Sequence, residues 1–68
     1  MRISARNCLK GKITDVKKGA TTAHVRINIA GQIVTAAITN EAVAELKLKK
    51  GQTAHAVIKA SDVMIGID

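Results

Sequence analysis

The 68 residues include no Phe, Tyr or Trp, no Pro and only one Cys. Each absence removes a class of protein. Cys8 alone cannot close an internal disulfide, and no Cys or His pattern has zinc spacing, because His24 and His55 stand far apart in the chain. Without aromatic rings there is nothing for single-stranded bases to stack on, a contact worth about 1–3 kcal/mol per base in sequence-tolerant strand binders. No apolar run approaches the roughly 18 residues of a membrane span, and Met1-Arg2-Ile3-Ser4 does not open a signal peptide. The lone thiol and the missing export signal set the expectation of a reducing cytoplasm. Carboxylates are scarce as well, five Asp and Glu against 11 Lys and Arg, which leaves a net charge of +6. That balance calls for an anionic partner. With base stacking removed, a small anion is favoured over nucleic acid.

What the chain does contain is Ile, Val, Leu and Ala, which make up nearly all of an apolar fraction of 47%. They are too abundant and too regularly placed for disorder. A chain of this length allows one small domain, residues 1–68, and excludes a two-domain enzyme. A domain of this size buries only about 60% of the surface that its unfolded chain exposes, so an extra staple is the norm. Disulfide and metal are already excluded. Self-association remains, and a homo-oligomer is expected.

Two-residue periods dominate the order of the chain. Leu9, Gly11 and Ile13 alternate with Lys10, Lys12 and Thr14, the pattern of a strand with one apolar and one wet face. Lys17-Lys18-Gly19-Ala20-Thr21 reads as a basic turn. Ala23, Val25, Ile27 and Ile29 then alternate with His24, Arg26 and Asn28 in the clearest strand of the chain. Ala30-Gly31-Gln32-Ile33 puts Gly31 at the first central position of a type II′ hairpin turn, and Ile33 to Thr39 should return antiparallel. From Asn40 the period changes: Glu41 to Lys47 is rich in Ala and Glu, with Thr39 or Asn40 as N-cap and lysines beyond its end. So short a helix is not stable alone and should plug a core through Val43 and Leu46. Thr53 to Lys59 reads as another strand, and Val63 to Ile67 as a last, short, apolar one. Strand, hairpin, short helix and two more strands predict an all-β chain with one helix, arranged as a five-stranded, partly open barrel of the oligonucleotide/oligosaccharide-binding kind.

Catalysis finds no foothold. Cys8 has no His near it in sequence and reads as a small buried hydrophobe, and the two His read as surface or interface imidazoles. Asp15, Glu41, Glu45 and Asp62 are too scattered for an acid/base pair, and no glycine-rich phosphate loop is present. The expectation is a protein that is not an enzyme and carries no catalytic cofactor. Binding of an oxyanion is different. It needs cationic donors, hydroxyls and backbone N–H groups, with few competing carboxylates. Ser4 and Arg6 stand two apart, on one face if extended; Lys59 and Ser61 share that spacing at a strand end; Thr39 sits where a strand meets the helix.

The opening Ser4-Ala5-Arg6-Asn7-Cys8-Leu9-Lys10-Gly11-Lys12-Ile13 resembles the Ser-Ala-Arg-Asn-x-Leu-x-Gly-x-Ile/Val signature of the molbindins, the small molybdate-binding Mop proteins. Ile38-Thr39, the Glu41 to Leu46 helix, Lys50-Gly51 and Val57-Ile58-Lys59-Ala60-Ser61-Asp62-Val63-Met64 continue the likeness over nearly the whole chain. Similar domains occur as tandem copies or appended modules in molybdate-dependent regulators and importer ATP subunits; this chain resembles the free-standing storage form. The resemblance implies a barrel that exchanges strands with a neighbour, three such dimers forming a hexamer, and molybdate or tungstate bound as an oxyanion between subunits. No side chain would coordinate the metal directly. The family's Arg and its neighbouring hydroxyl fall on Arg6 and Ser4, its junction Thr on Thr39 and its Lys on Lys59. Some members carry Ser directly after that Lys. Here Ala60 leaves only its backbone N–H, with Ser61 as the next hydroxyl. Two rivals are a nucleic-acid-binding barrel that uses the basic surface and an anion-responsive regulatory module.

Overall fold

The computed structural model describes residues 1–68. Four strands, β1 (Asn7–Lys18), β2 (Thr22–Ile29), β3 (Gln32–Thr39) and β4 (Thr53–Ile58), are interrupted by one helix, α1 (Asn40–Leu46), and followed by a 3-10 turn at Ala60–Asp62. All pairings are antiparallel, in the order β3-β2-β1-β4. The fold is all-β with one short helix.

β1 is the spine. Its first half pairs with β4, from Asn7↔Ile58 to Lys12↔Thr53, and its second half with β2, from Lys12↔Asn28 to Lys18↔Ala23. The register shifts between Ile13 and Asp15, so Thr14 is a bulge residue, its hydroxyl bonded to the Arg26 carbonyl at 3.4 Å. A bulge exchanges the two faces of a strand. Ile13 points inward before it and Val16 after it. This is why the two-residue period fades at Thr14, and why Lys17 and Lys18, expected in a turn, instead end the strand. Just before the bulge, a Cβ at Gly11 would run into the Asn28 backbone carbonyl and into Ile29 and Ile27 side chains at 2.8 and 2.9 Å. Glycine lets β1 press against β2 as it crosses from one neighbour to the other.

The inward face gathers Ile13, Ala23, Val25, Ile27 and Ala56, and α1 adds Val43. Val43 is 3% exposed, a burial worth about 1.5–3 kcal/mol. Leu46, expected beside it, is 63% exposed. Lys47 closes the helix in the left-handed region at φ 52, and the N–H groups of Lys47 and Leu48 return to the Ala44 and Val43 carbonyls. That closure swings Leu48, rather than Leu46, onto the core beside Val43. At the other end the Thr39 hydroxyl accepts the Ala42 N–H at 3.0 Å, the expected N-cap.

Two further expectations are corrected. The β2–β3 loop is Ala30-Gly31, with Ile29 opposite Gln32 and positive φ at both residues, 52 and 88. It is therefore a type I′ turn, one residue earlier than the type II′ reading, and the Asn28 side-chain oxygen supports it by accepting the Gly31 N–H at 2.9 Å. The fifth strand is absent from the chain. Val63 to Asp68 has no regular structure, and Met64, Ile65 and Ile67 are 92%, 88% and 94% exposed. No residue of this tail joins a ladder. The sheet stays open between β3 and β4, around a cleft of about 610 Å³ whose 16 lining residues include 12 hydrophobic ones, among them Val34, Ile38, Ala54 and Ile58.

Candidate functional site

Asn7 and Ile58 form the terminal rung of the β1–β4 ladder. The segments that run off this rung carry most of the residues singled out from sequence. Ser4 and Arg6 sit at backbone bends immediately before β1, and Lys59 directly follows β4; all three are exposed. Ala60 and Ser61 begin the 3-10 turn, which is closed by N–H bonds from Asp62 to the Lys59 carbonyl at 2.9 Å and from Val63 to the Ala60 carbonyl at 3.2 Å. The first N–H groups of such a turn have no acceptor inside it, and no side chain caps this one. One sheet end therefore gathers a guanidinium, an ammonium, two hydroxyls and uncapped backbone donors. Asp62 is the carboxylate of this stretch, and it is exposed.

The Asn7 side chain closes the rung a second time, its Nδ2 donating to the Ile58 carbonyl at 3.3 Å. Sequence reasoning gave Asn7 no role. It is uncharged, and only the register places it across from Ile58.

Thr39 is not part of this cluster. It pairs with Thr22 at the start of β2, and Ala23, the next residue, pairs with Lys18 at the far end of β1. By register Thr39 thus stands at the opposite end of the spine from Arg6 and Lys59. Its oxygen accepts the Ala42 N–H, which leaves the hydroxyl proton free to donate outward. Beside it, the Asn40 N–H bonds to the Thr21 carbonyl at 2.8 Å and its Nδ2 to the Gly19 carbonyl at 3.0 Å, tying α1 to the turn that follows Lys17 and Lys18. The Asn40 Oδ1 is buried without a partner.

Cys8, expected to be buried, is exposed on the outer face of β1 opposite Val57. Leu9 shares the parity of Ile13, which is buried, but stands near the end of the strand and is itself 40% exposed. His24 and His55 are exposed, across from Lys17 and Lys10 respectively. No three His, Cys, Asp or Glu side chains come together in a group able to hold a metal ion.

A bulged antiparallel sheet, closed on one side by a capped helix and carrying donors at both ends of its central strand, defines a small β module. The chain belongs to the TOBE-domain family, whose model matches residues 3–65. Molybdenum-pterin-binding protein 1 of Clostridium pasteurianum is 52% identical over 66 residues, 96% of this chain and 97% of its own. The solved molybdate-binding protein from Sporomusa ovata superposes with a TM-score of 0.94 at 33% identity, covering 98% of this chain and all of that one. The cytoplasmic molybdate-binding protein ModG, solved with molybdate bound, superposes with a TM-score of 0.93 at 46% identity; it matches the whole of this chain, which spans 49% of ModG. The molbindin likeness of the opening segment therefore extends over the entire sequence.

Proposed function

We propose that this chain is a non-enzymatic, cytoplasmic protein that binds molybdate or tungstate as an intact oxyanion and stores it at interfaces between copies of itself. The 68 residues act as a single domain. The observation that carries the reading is the convergence of Arg6 and Lys59 at one rung of the sheet, beside hydroxyls and uncapped N–H donors. Moving a dianion out of water is costly unless cations and several fixed donors surround it. Arg6 supplies a forked, permanently charged donor and Lys59 a point charge. The Ser4 and Ser61 hydroxyls and the Ala60 and Ser61 N–H groups complete the shell on this side. Selectivity against protonated anions follows, because a donor on the anion would find no acceptor among the groups that face it.

The shell is half a shell, because Thr39 lies at the other end of β1. A neighbouring subunit brings its own Thr39 to the Arg6 end. What supports the pairing of subunits is the open sheet: an apolar cleft of about 610 Å³ lies between β3 and β4, and the chain's own apolar tail does not fill it. A neighbour's Val63 to Ile67, laid along an open edge, closes a five-stranded barrel in a strand-exchanged dimer. Three such dimers make the hexamer. An anion bound only in the assembled state then stabilises the assembly by mass action. The relatives named for molybdenum or molybdate favour this reading over a nucleic-acid-binding barrel.

The test is isothermal calorimetry with molybdate on the wild-type assembly and on Arg6→Ala and Lys59→Ala. Each charge-assisted hydrogen bond lost is worth about 1.5–3 kcal/mol, so each variant should bind about ten- to a hundredfold more weakly. Unchanged affinity in both variants would overturn the assignment of the site.

A further inference from the structure

The Arg6 and Lys59 limbs are joined to the sheet by very little. Residues 1–6 have no regular structure, and the first ladder pair behind them is Asn7↔Ile58. On the other limb, Lys59 and Ala60 commit their carbonyls to the 3-10 turn, so the Ile58 carbonyl is the last one on β4 that faces β1 rather than the turn. The half-buried Asn7 side chain donates to that carbonyl at 3.3 Å, a bond that spans 51 positions of sequence. Terminal rungs are the first part of a sheet to open. The two residues that flank the rung are a guanidinium and an ammonium, like charges that favour its opening until an anion lies near them.

We infer that Asn7 is a positioning residue of the oxyanion site: its side-chain amide straps β1 to β4 and so fixes the spacing of Arg6 and Lys59, without touching the anion. The inference rests on the assignment of those two residues under Proposed function. An amide suits this task. A carboxylate at the same place would repel the Ile58 carbonyl and compete for Arg6 and Lys59, and an apolar side chain of similar size would fill the space but leave the rung to open. With the strap present the two cations are held near their bound separation in the empty protein. Without it, binding must first bring the limbs together, and affinity falls by the cost of that ordering.

The experiment measures molybdate affinity by calorimetry, and thermal midpoint and sedimentation without anion, for the full-length assembly carrying Asn7→Leu or Asn7→Gln. Residues that orient the ligands of metal sites typically contribute about 10–100-fold to affinity, and with a strap of the same kind here Asn7→Leu should bind about tenfold more weakly, with midpoint and oligomeric state close to wild type. Asn7→Gln, which keeps the amide on a longer stem, should recover part of that loss. A second arm places Asn7→Leu in the Lys59→Ala background, where it should cost little more, because one of the two limbs it aligns no longer carries a charge. A role confined to folding gives a different result: the same loss in both backgrounds, tracking the thermal midpoint, and this overturns the inference. Should Asn7→Leu fail to fold, the shorter Asn7→Ser, whose hydroxyl does not reach across the rung, carries the same comparison, and wild-type affinity in that variant also overturns it. Failure of the site itself looks different again, since Arg6→Ala and Lys59→Ala would then bind like wild type.

Discussion

The two ends of β1 are built in opposite ways. At the Lys18 end nearly everything is tied down: Thr39 caps a helix, Asn40 bonds twice into the Gly19–Thr21 turn, and Val43 anchors the helix in the core. At the Asn7 end, charged residues hang from a single rung, between an irregular N-terminal segment and a three-residue turn. Of the candidate site residues, the rigid end holds one neutral hydroxyl, that of Thr39, and the loose end holds the two cations, Arg6 and Lys59. A site that drew on both ends of one chain would have to span the length of a 12-residue strand. A site made from the loose end of one subunit and the rigid end of another needs no such span, and it gives the loose end a fixed surface against which to order. In the proposed two-subunit site, this asymmetry would make the anion a glue between subunits rather than a passenger on one.

The strongest way to break that picture is to remove the proposed means of pairing. Deleting residues 64–68 takes away the exposed Met64, Ile65 and Ile67 and leaves both ends of β1 intact, including the Val63 N–H bond that closes the 3-10 turn. The truncated chain should sediment as a monomer and bind molybdate at least about a hundredfold more weakly, because it keeps the charges and forfeits the neighbour's donors, at about 1.5–3 kcal/mol for each charge-assisted bond. A truncated monomer with wild-type affinity would mean that one subunit holds the whole site. A sharper version leaves assembly alone. Arg6→Ala damages the loose end and Thr39→Val the rigid end, and each variant by itself should bind poorly. Unfolded together and refolded as mixed dimers, they should regain about a quarter of the wild-type sites, since roughly half of the dimers are mixed and each of those has one site with both ends intact. No recovery on mixing would place Arg6 and Thr39 in the same subunit's site.

How much of this could be read beforehand follows from what each signal depends on. The β2 alternation from Ala23 to Ile29 and the Thr39 cap are local, and the structure keeps both. β1 was truncated in the reading because its bulge at Thr14 reverses the apolar parity, and nothing in Ile13-Thr14-Asp15 itself announces a bulge. Leu46 and Leu48 were exchanged for a similar reason. Helical periodicity assigns Leu46 to the inner face, but the left-handed Lys47 ends the helix and delivers Leu48 there instead. The residues of the candidate site were legible as donor types near strand ends. Their grouping was not, because it depends on which strand ends meet: register joins Lys59 to Arg6 and sends Thr39 away. The fifth strand rests on an apolar run, Val63 to Ile67, that pairs with no strand of its own chain.

The smallest expected effect concerns the β2–β3 turn, which belongs to neither end. Ala30 sits at φ 52, a left-handed conformation that disfavours residues with a Cβ other than Asn and Asp, and Gly31 follows at φ 88. Ala30→Asn would install the Asn-Gly pair that type I′ turns prefer and should stabilise the fold by about 0.5–1 kcal/mol. At fixed protein concentration that corresponds to a rise of about 2–8 °C in the thermal midpoint, readable by circular dichroism. Molybdate affinity should stay at the wild-type value, because the turn lies opposite the middle of β1, with Asn28 across from Lys12, and touches neither set of donors. A rise in midpoint accompanied by a change in affinity would show that the two ends are not independent of the sheet between them. The contrast drawn between a rigid end and a loose one would then have to be redrawn as a property of the whole strand.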